Sequence, residues 1–232
     1  EGTRDFVWAT SWGVSTRLIG GVIMTHGDDD GLRLPPRIAP RQIVIVPILR
    51  DKPEDAEVLA YCDALAEDLV AASAFGAPLR VLVDKKSLRS AEKRWNWVRR
   101  GAPLIVEIGP RDAAGGQVTF MRRDELRDGD RVKSDSLGKA DFVARAPALL
   151  VEIQTALHSQ AKQRLEANIF DGIDSLEAIA DFFGAAADDE DEAGAFRGWV
   201  RVAWSRPGGA ELEKIADWLK ARKLTVRNAP MD

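Results

Sequence analysis

The sequence predicts an α/β fold in which at least part of the sheet is parallel. Short β-branched apolar runs alternate with longer segments of three-to-four apolar spacing, the pattern of strands joined by crossover helices. Of the 232 residues, 45% are hydrophobic. That suffices for a sizeable core and excludes disorder along most of the chain.

The elements follow in order. Pro35, Pro36 and Pro40 read as a linker, and the run from Arg41 to Ile48 as a buried strand bounded by prolines. Glu54 to Ala72 is a helix with the stripe Val58, Cys62, Leu65, Leu69 and Ala72; Glu54, Asp55 and Glu57 suit its positive N-terminal end. Gly76 and Pro78 stop it. Leu79 to Val83 is a second strand, Ser87 to Arg100 a polar segment with helical content, Pro103 to Gly109 a third strand and Gln117 to Arg122 a fourth. A long helix fits Pro147 to Asn168, with Pro147 in its first turn and the stripe Leu150, Ile153, Leu157, Ala161 and Leu165.

The remainder reads as a small β-α-β unit. Ser175 to Phe183 is a short helix and Ala185 to Glu192 an exposed acidic loop. Phe196 to Trp204 alternates like a strand, Glu211 to Arg222 is helical, and Leu224 to Arg227 is a short strand.

Composition excludes several classes of function. One cysteine, Cys62, rules out a disulfide framework and a cysteine-rich zinc site, and two histidines leave little for histidine-based metal chemistry. No apolar run approaches the ~18 residues of a membrane span, and no signal peptide is visible. The chain starts at Glu1, as expected of a processed N-terminus or part of a longer chain. The net charge of −4 hides a basic middle: Arg80 to Lys133 holds 14 Lys and Arg against 8 Asp and Glu, a net +6. Such a segment is either a local polyanion site or a solvated basic face.

The first forty residues carry the most specific text. Ser11-Trp12-Gly13 leads into a helix beginning near Ser15, with Arg17 in its first turn. Gly13 permits close approach of a ligand, and the free amides of a helix start favour a phosphate. Read by spacing alone, Ser15 is equally an N-cap and Arg17 a surface residue. Asp28-Asp29-Asp30-Gly31 lacks the alternation and the distal Glu of a calcium loop, so no metal is assigned to it. His26 reads as structural, near the C-terminal end of the helix.

This text, S-W-G-V-S-T-R-L-I-G continuing to H-G-D-D-D-G-L-R-L-P-P-R, resembles motif 3 of class II aminoacyl-tRNA synthetases. It is closest to the archaeal/eukaryotic-like prolyl-tRNA synthetases. A second stretch, Gly101 to Asp112, resembles that family's K-G-V-P-x-R-x-E-[IV]-G-P-R-D. The resemblance covers residues 1 to about 168 well and the rest loosely. It implies the end of a class II catalytic domain (1–40), a mixed-sheet anticodon-binding domain (41–160) and a small α+β C-terminal domain without zinc (161–232).

The resemblance also implies roles. Ser15 and Arg17 would contact ATP, with Arg17 the catalytic residue; a planar guanidinium suits both adenine and phosphate. Ser11, Trp12 and Gly13 would wall the amino-acid pocket. In the family the G-P-R-D turn meets an anticodon whose second and third bases are G. Arg111 would donate to guanine O6 and N7 and Asp112 would accept from N1 and N2 hydrogens; the alternative is an Arg–Asp pair capping a tight turn. Upstream, the family often reads K-F-N-x-W-E where this chain has Lys93-Arg94-Trp95-Asn96-Trp97-Val98. Val98 in place of the glutamate puts one base contact in doubt. Arg94, Arg99 and Arg100 offer phosphate contacts in compensation, and Trp95 either stacks on a base or belongs to the core.

The implied protein is a cytoplasmic proline–tRNA ligase, homodimeric when complete, using ATP with Mg2+, L-proline and tRNA(Pro). Motifs 1 and 2 are not in the chain, so it reads as a fragment inactive alone. The alternative is a free-standing anticodon-domain protein that binds RNA without catalysis. Motif 3 argues against it.

Overall fold

The computed structural model describes residues 9–184, 198–203 and 208–227. The chain divides into two compact units, residues 1–161 and 162–232. The first unit contains α1 (Arg17–His26), β1 (Ile43–Pro47), α2 (Asp55–Ala71), the hairpin β2 (Ser73–Ala74) and β3 (Ala77–Pro78), β4 (Val81–Val83) and α3 (Ser90–Arg99). It continues with β5 (Leu104–Ile108), α4 (Pro110–Gly115), β6 (Gln117–Arg122), the hairpin β7 (Arg127–Asp128) and β8 (Arg131–Val132), β9 (Asp135–Gly138) and most of α5 (Lys139–Glu166).

Five strands form one mixed sheet in the order β4-β1-β5-β6-β9. β1 runs parallel to β4 and β5, with Ile43 opposite Val81 and Leu104. β6 runs antiparallel to β5 and β9, with Glu107 opposite Thr119 and Thr119 opposite Ser136. All five residues of β1 are buried, as its unbroken apolar run requires of a central parallel strand.

The pleat sends alternate residues to two cores. Ile43, Ile45, Leu104, Val106, Ile108, Val118 and Phe120 pack under α2 and α5. Val44, Val46, Ile105 and Met121 face the other way and pack with Val98 of α3, Ala102 and Leu126. On α2 the buried side chains are Val58, Cys62, Leu65 and Leu69, the stripe expected from spacing. Truncating Leu65 or Leu69, both fully buried, to alanine costs about 2–5 kcal/mol.

Three local expectations change. The long helix starts at Lys139, eight residues before Pro147, which lies inside it. The earlier turns bury Phe142 and Ala146, and that packing offsets the bond an interior proline removes; at the other end Leu165 is exposed. The proline segment is a packed connection: Pro35, Pro36 and Ala39 are buried. The Arg80 guanidinium donates to the Ala39 and Pro36 carbonyls at 2.8 Å, and the Gln42 amide to Pro36 at 3.1 Å. The short strand β9, with no apolar run to announce it, closes the sheet.

In the second unit, β10 (Ile169–Phe170) pairs in parallel with β11 (Trp199–Val200) across α6 (Leu176–Gly184), and α7 (Ala210–Ala221) follows. This differs from the expected β-α-β unit, because Leu224–Arg227 forms no strand among the described residues. The Ser175 hydroxyl accepts from the Ala178 amide at 3.1 Å and caps α6. Phe170, Phe182 and Phe183 stack in sequence with centroids 4.9 Å apart. Trp199 is 44% exposed, whereas Trp218 lies under the Arg222 guanidinium at 4.2 Å. The acidic loop and Trp204 fall outside the described residues. No helix among the described residues is long and apolar enough to cross a membrane.

Candidate nucleic-acid interface

β1, β4 and β5 end together at one edge of the sheet, the edge where open parallel sheets place ligand sites. Immediately past β5, Gly109 caps α4, and Asp112 at its third position folds back: its carboxylate accepts from the Gly109 amide at 2.9 Å and the Thr119 hydroxyl at 3.1 Å. Arg111, one residue earlier, is exposed and has no ion pair among the described residues. The expected Arg111–Asp112 cap is therefore half present. Asp112 caps the turn, without Arg111.

α3 lies beside this turn. Lys93 is 1% exposed, and its amine donates to the carbonyls of Asp84 at 3.2 Å and Pro47 at 3.4 Å, where β4 and β1 end. The Trp97 indole donates to the Asp84 carboxylate at 2.7 Å. These two residues, one helical turn apart, fix α3 on the sheet, so Arg94 between them meets Glu107 of β5 at 3.2 Å. The Arg94 Nε is buried without a partner. Trp95 is half-buried against the second core, with the Arg94 guanidinium 5.9 Å and that of Arg127 5.6 Å from its ring. The core reading of Trp95 thus holds, with part of the ring still open. Glu107, Thr119 and Ser136 lie in register on the α3 side of the sheet. Burial, followed by the charge of Asp112, pushes the phenol of Tyr61 up; its hydroxyl donates to the Gln117 carbonyl at 3.0 Å.

Val98 resolves a departure noted in the sequence. It is 1% exposed in the apolar cluster that also holds Ile105, the position where the family text has arginine. The two family charges, glutamate at 98 and arginine at 105, are both replaced by apolar residues in one cluster. Position 98 therefore faces the core and offers no base contact. Buried ion pairs are open to such joint replacement by apolar side chains.

Arg99 and Arg100 are exposed but lie at the opposite edge, since α3 runs back against the strands. The Arg99 carbonyl accepts from Leu32 and the Gly101 carbonyl from Leu34, just before β5 begins. The Arg100 guanidinium stands 5.1 Å from the Trp97 ring. The structure thus brings Arg94, Trp95, Arg111 and Asp112 to one region and separates Arg99 and Arg100 from Arg111 by the length of a strand. Much of the basic middle is already paired: Lys85 with Asp63, Arg122 with Asp124 and Glu152, Arg123 with Asp28, Arg127 with Asp30 and Lys133 with Glu125. Lys86, Arg89, Arg99, Arg111 and Arg131 have no ion pair among the described residues.

The motif 3 residues form a separate place. α1 starts at Arg17 with Thr16 as its cap residue; the Ser15 hydroxyl accepts from the Arg17 amide at 3.4 Å, and no side chain caps the helix. Ser11, Trp12, Gly13, Ser15 and Arg17 are all exposed, Trp12 at 93%, and nothing lies within 4 Å of a Cβ placed on Gly13. No residue of α1 is buried, although Leu18, Ile19, Ile23 and Met24 are apolar.

Sequence reasoning missed Asp84, Lys93, Glu107 and Thr119. Lys93 and Trp97 were signalled by their i, i+4 spacing. Glu107 and Thr119 become partners through strand pairing, which no local pattern announces.

Residues 42–140 match the profile of the anticodon binding domain family. The proline–tRNA ligase of Sphingopyxis alaskensis is 52% identical over 233 residues, covering 100% of this chain and 42% of the relative. That of Erythrobacter litoralis is 49% identical, covering 100% of this chain and 44% of the relative. The chain thus spans less than half the length of these curated relatives. A crystal structure of prolyl-tRNA synthetase from Cryptosporidium parvum, complexed with L-proline and AMP, superposes with a TM-score of 0.69 at 28% identity, over 89% of this chain and 38% of the other.

Proposed function

We propose that this chain, similar over its whole length to proline–tRNA ligases and to a prolyl-tRNA synthetase structure, supplies the anticodon-reading domain and the motif 3 segment of a proline–tRNA ligase. That enzyme would activate L-proline with ATP and transfer it to tRNA(Pro). The observation that carries the reading is the Arg111 turn. A guanidinium with no ion pair among the described residues stands beside a carboxylate-braced turn, at the ligand edge of an anticodon-binding fold.

Arg111 is the base-reading residue in this account. Asp112 has both oxygens engaged with Gly109 and Thr119, so its role is to hold Arg111 in place rather than to meet a guanine first. Arg94 and the open part of Trp95 extend the surface along the sheet, by charge and by stacking. Arg99 and Arg100, on the far edge, contact backbone phosphate.

For activation, the exposed Arg17 at the start of a ten-residue helix fits a triphosphate, with Ser15 beside it. Ser11, Trp12 and Gly13 line the proline side. Arg17 orients ATP and stabilises charge developing at phosphate as the proline carboxylate attacks. Mg2+ would accompany the nucleotide phosphates. Among the described residues no group of three or more His, Cys, Asp or Glu side chains is placed to hold it, and the Asp28 and Asp30 carboxylates are held by arginines. The complete ligase would be a cytoplasmic homodimer, with residues 1–40 ending its catalytic domain, 41–160 forming the anticodon-binding domain and 161–232 a C-terminal domain.

A free-standing RNA binder would have no use for α1. An apolar helix with none of its residues buried calls for a partner surface, which favours the ligase reading. The test is tRNA binding by this chain. Affinity for tRNA(Pro) should exceed that for an unrelated tRNA and fall as salt rises. Equal affinity for both would leave only an electrostatic platform.

A further inference from the structure

Two aspartates of the Asp28-Asp29-Asp30-Gly31 turn, Asp28 and Asp30, are each held by an arginine. The Arg123 guanidinium, 2% exposed, donates Nη1 to the Asp28 carboxylate at 2.8 Å, and its Nη2 meets the second oxygen of the same group. Its Nε donates to the Val98 carbonyl at 2.9 Å. Arg127 grips Asp30 in the same forked manner, with Nε at 2.6 Å from Oδ2. Arg33 donates to the His26 carbonyl at the end of α1 at 2.9 Å and stands 3.6 Å from Asp28.

The backbones close on each other at the same place. Leu32 donates to the Arg99 carbonyl and Leu34 to that of Gly101, at 3.0 and 3.1 Å. Gly31 (φ +125°) and Gly101 (φ +75°) permit this approach: a Cβ on Gly31 would lie 2.6 Å from the Arg99 Cα, and one on Gly101 2.5 Å from the Leu32 oxygen. The grip also reaches the candidate interface, because the Arg127 guanidinium that holds Asp30 lies over the Trp95 ring, with Arg94 and then Glu107 beyond.

We propose that the Asp28–Arg123 and Asp30–Arg127 pairs are a clamp that fixes α1 relative to the anticodon-reading surface, making these four residues positioning residues for the tRNA-dependent step. The inference rests on the function proposed above. A tRNA held at its anticodon delivers its other end to the activation site only if the two sites keep a set separation. Paired forks, one of them buried, hold orientation as well as distance. Activation of proline needs no such separation. Loosening the clamp should therefore slow transfer and spare activation.

The test pairs a distance with an activity. Spin labels go on Met24→Cys and Ala114→Cys, both exposed positions, while Cys62 is buried and its thiol is pushed up to about 12. The distance distribution should be narrow in the otherwise unaltered chain, broader in Arg127→Asp, and narrow again in the charge-swapped double variant Asp30→Arg/Arg127→Asp. The Asp30–Arg127 pair is chosen because Arg127 is 43% exposed and tolerates reversal better than buried Arg123. In the ligase carrying this chain, Arg127→Asp should lower kcat/KM for tRNA(Pro) aminoacylation about tenfold or more, with proline-dependent ATP–pyrophosphate exchange within about twofold, and the swap should restore it. An unchanged distribution in Arg127→Asp, a swap as broad as the single variant, or equal loss of exchange and aminoacylation would overturn the clamp. Absence of any exchange in the unaltered ligase would overturn the ligase reading instead, while the distance measurement still judges the clamp.

Discussion

Arg94 on α3 and Glu107 on β5 meet at 3.2 Å, with side chains 27% and 15% exposed. In the family text position 94 is phenylalanine and position 105, on β5 two residues before Glu107, is arginine; here Ile105 is buried and a cation reaches Glu107 from the helix instead. The exchange keeps a charge pair near the Arg111 turn while the core behind it becomes apolar.

Because this pair is half-buried, removing one partner is more harmful than the pair is stabilising. Glu107→Ala should lower stability by about 1–3 kcal/mol by leaving Arg94, which meets Glu107 through Nη1 and whose buried Nε has no partner among the described residues, without its carboxylate. Urea unfolding with an unchanged slope would report it. Arg94→Phe, which restores the family residue, should cost less than Arg94→Ala.

How much of this was legible in the sequence depends on which interactions are local. β1, α2, α3 and β6 follow from spacing and propensity, and their limits fall within a few residues of expectation. α5 did not, because Pro147 reads as a helix start unless one sees that Phe142 and Ala146 are buried ahead of it. The Arg111 turn was legible through its text, but the binding of Asp112 to Thr119 was not, since it needs the β5–β6 pairing. Arg99 and Arg100 follow Trp97 directly in sequence, yet the reversal of direction along α3 carries them to the other edge. The basic charge was read as one segment, whereas the fold pairs many of its members with acids from distant elements, including Asp28 and Asp30.

The clamp also sets an acid limit. Burial raises the Asp28 carboxyl, but the hydrogen bond and charge of Arg123 outweigh it, leaving the group below its ordinary value of 3.8. For Asp30 the Arg127 hydrogen bond is the largest influence and also lowers it. A depressed carboxyl contributes stability that is fully present above the unfolded value and is lost as pH falls through the lower folded value. The contribution should therefore be constant from neutrality to about pH 5 and decline below pH 4. Asp30→Asn should be less stable at pH 7 and flatten that decline. Parallel acid-unfolding curves for the two proteins would contradict it.

Cys62 provides a probe of opening. It is fully buried, and burial foremost, with the nearby charge of Asp63, pushes its thiol up to about 12. A disulfide reagent should leave it unmodified in the native chain at pH 8 and react once the α2 core opens in denaturant. Prompt stoichiometric reaction under native conditions would place Cys62 outside that core.

The central claim is that Arg111 reads bases while the rest of the basic surface supplies charge. The direct measurement is the affinity of the unaltered chain, Arg111→Ala and Arg111→Lys for tRNA(Pro) and for the same tRNA with its two anticodon guanines replaced, at two salt concentrations. Arg111→Ala should cost about 1–3 kcal/mol against the cognate anticodon and little against the replaced one. Arg111→Lys should lie nearer alanine than the unaltered chain, because an ammonium lacks the bidentate fork. Equal weakening of both tRNAs by Arg111→Ala would contradict the account, and would reduce the Arg111 turn to one more phosphate contact.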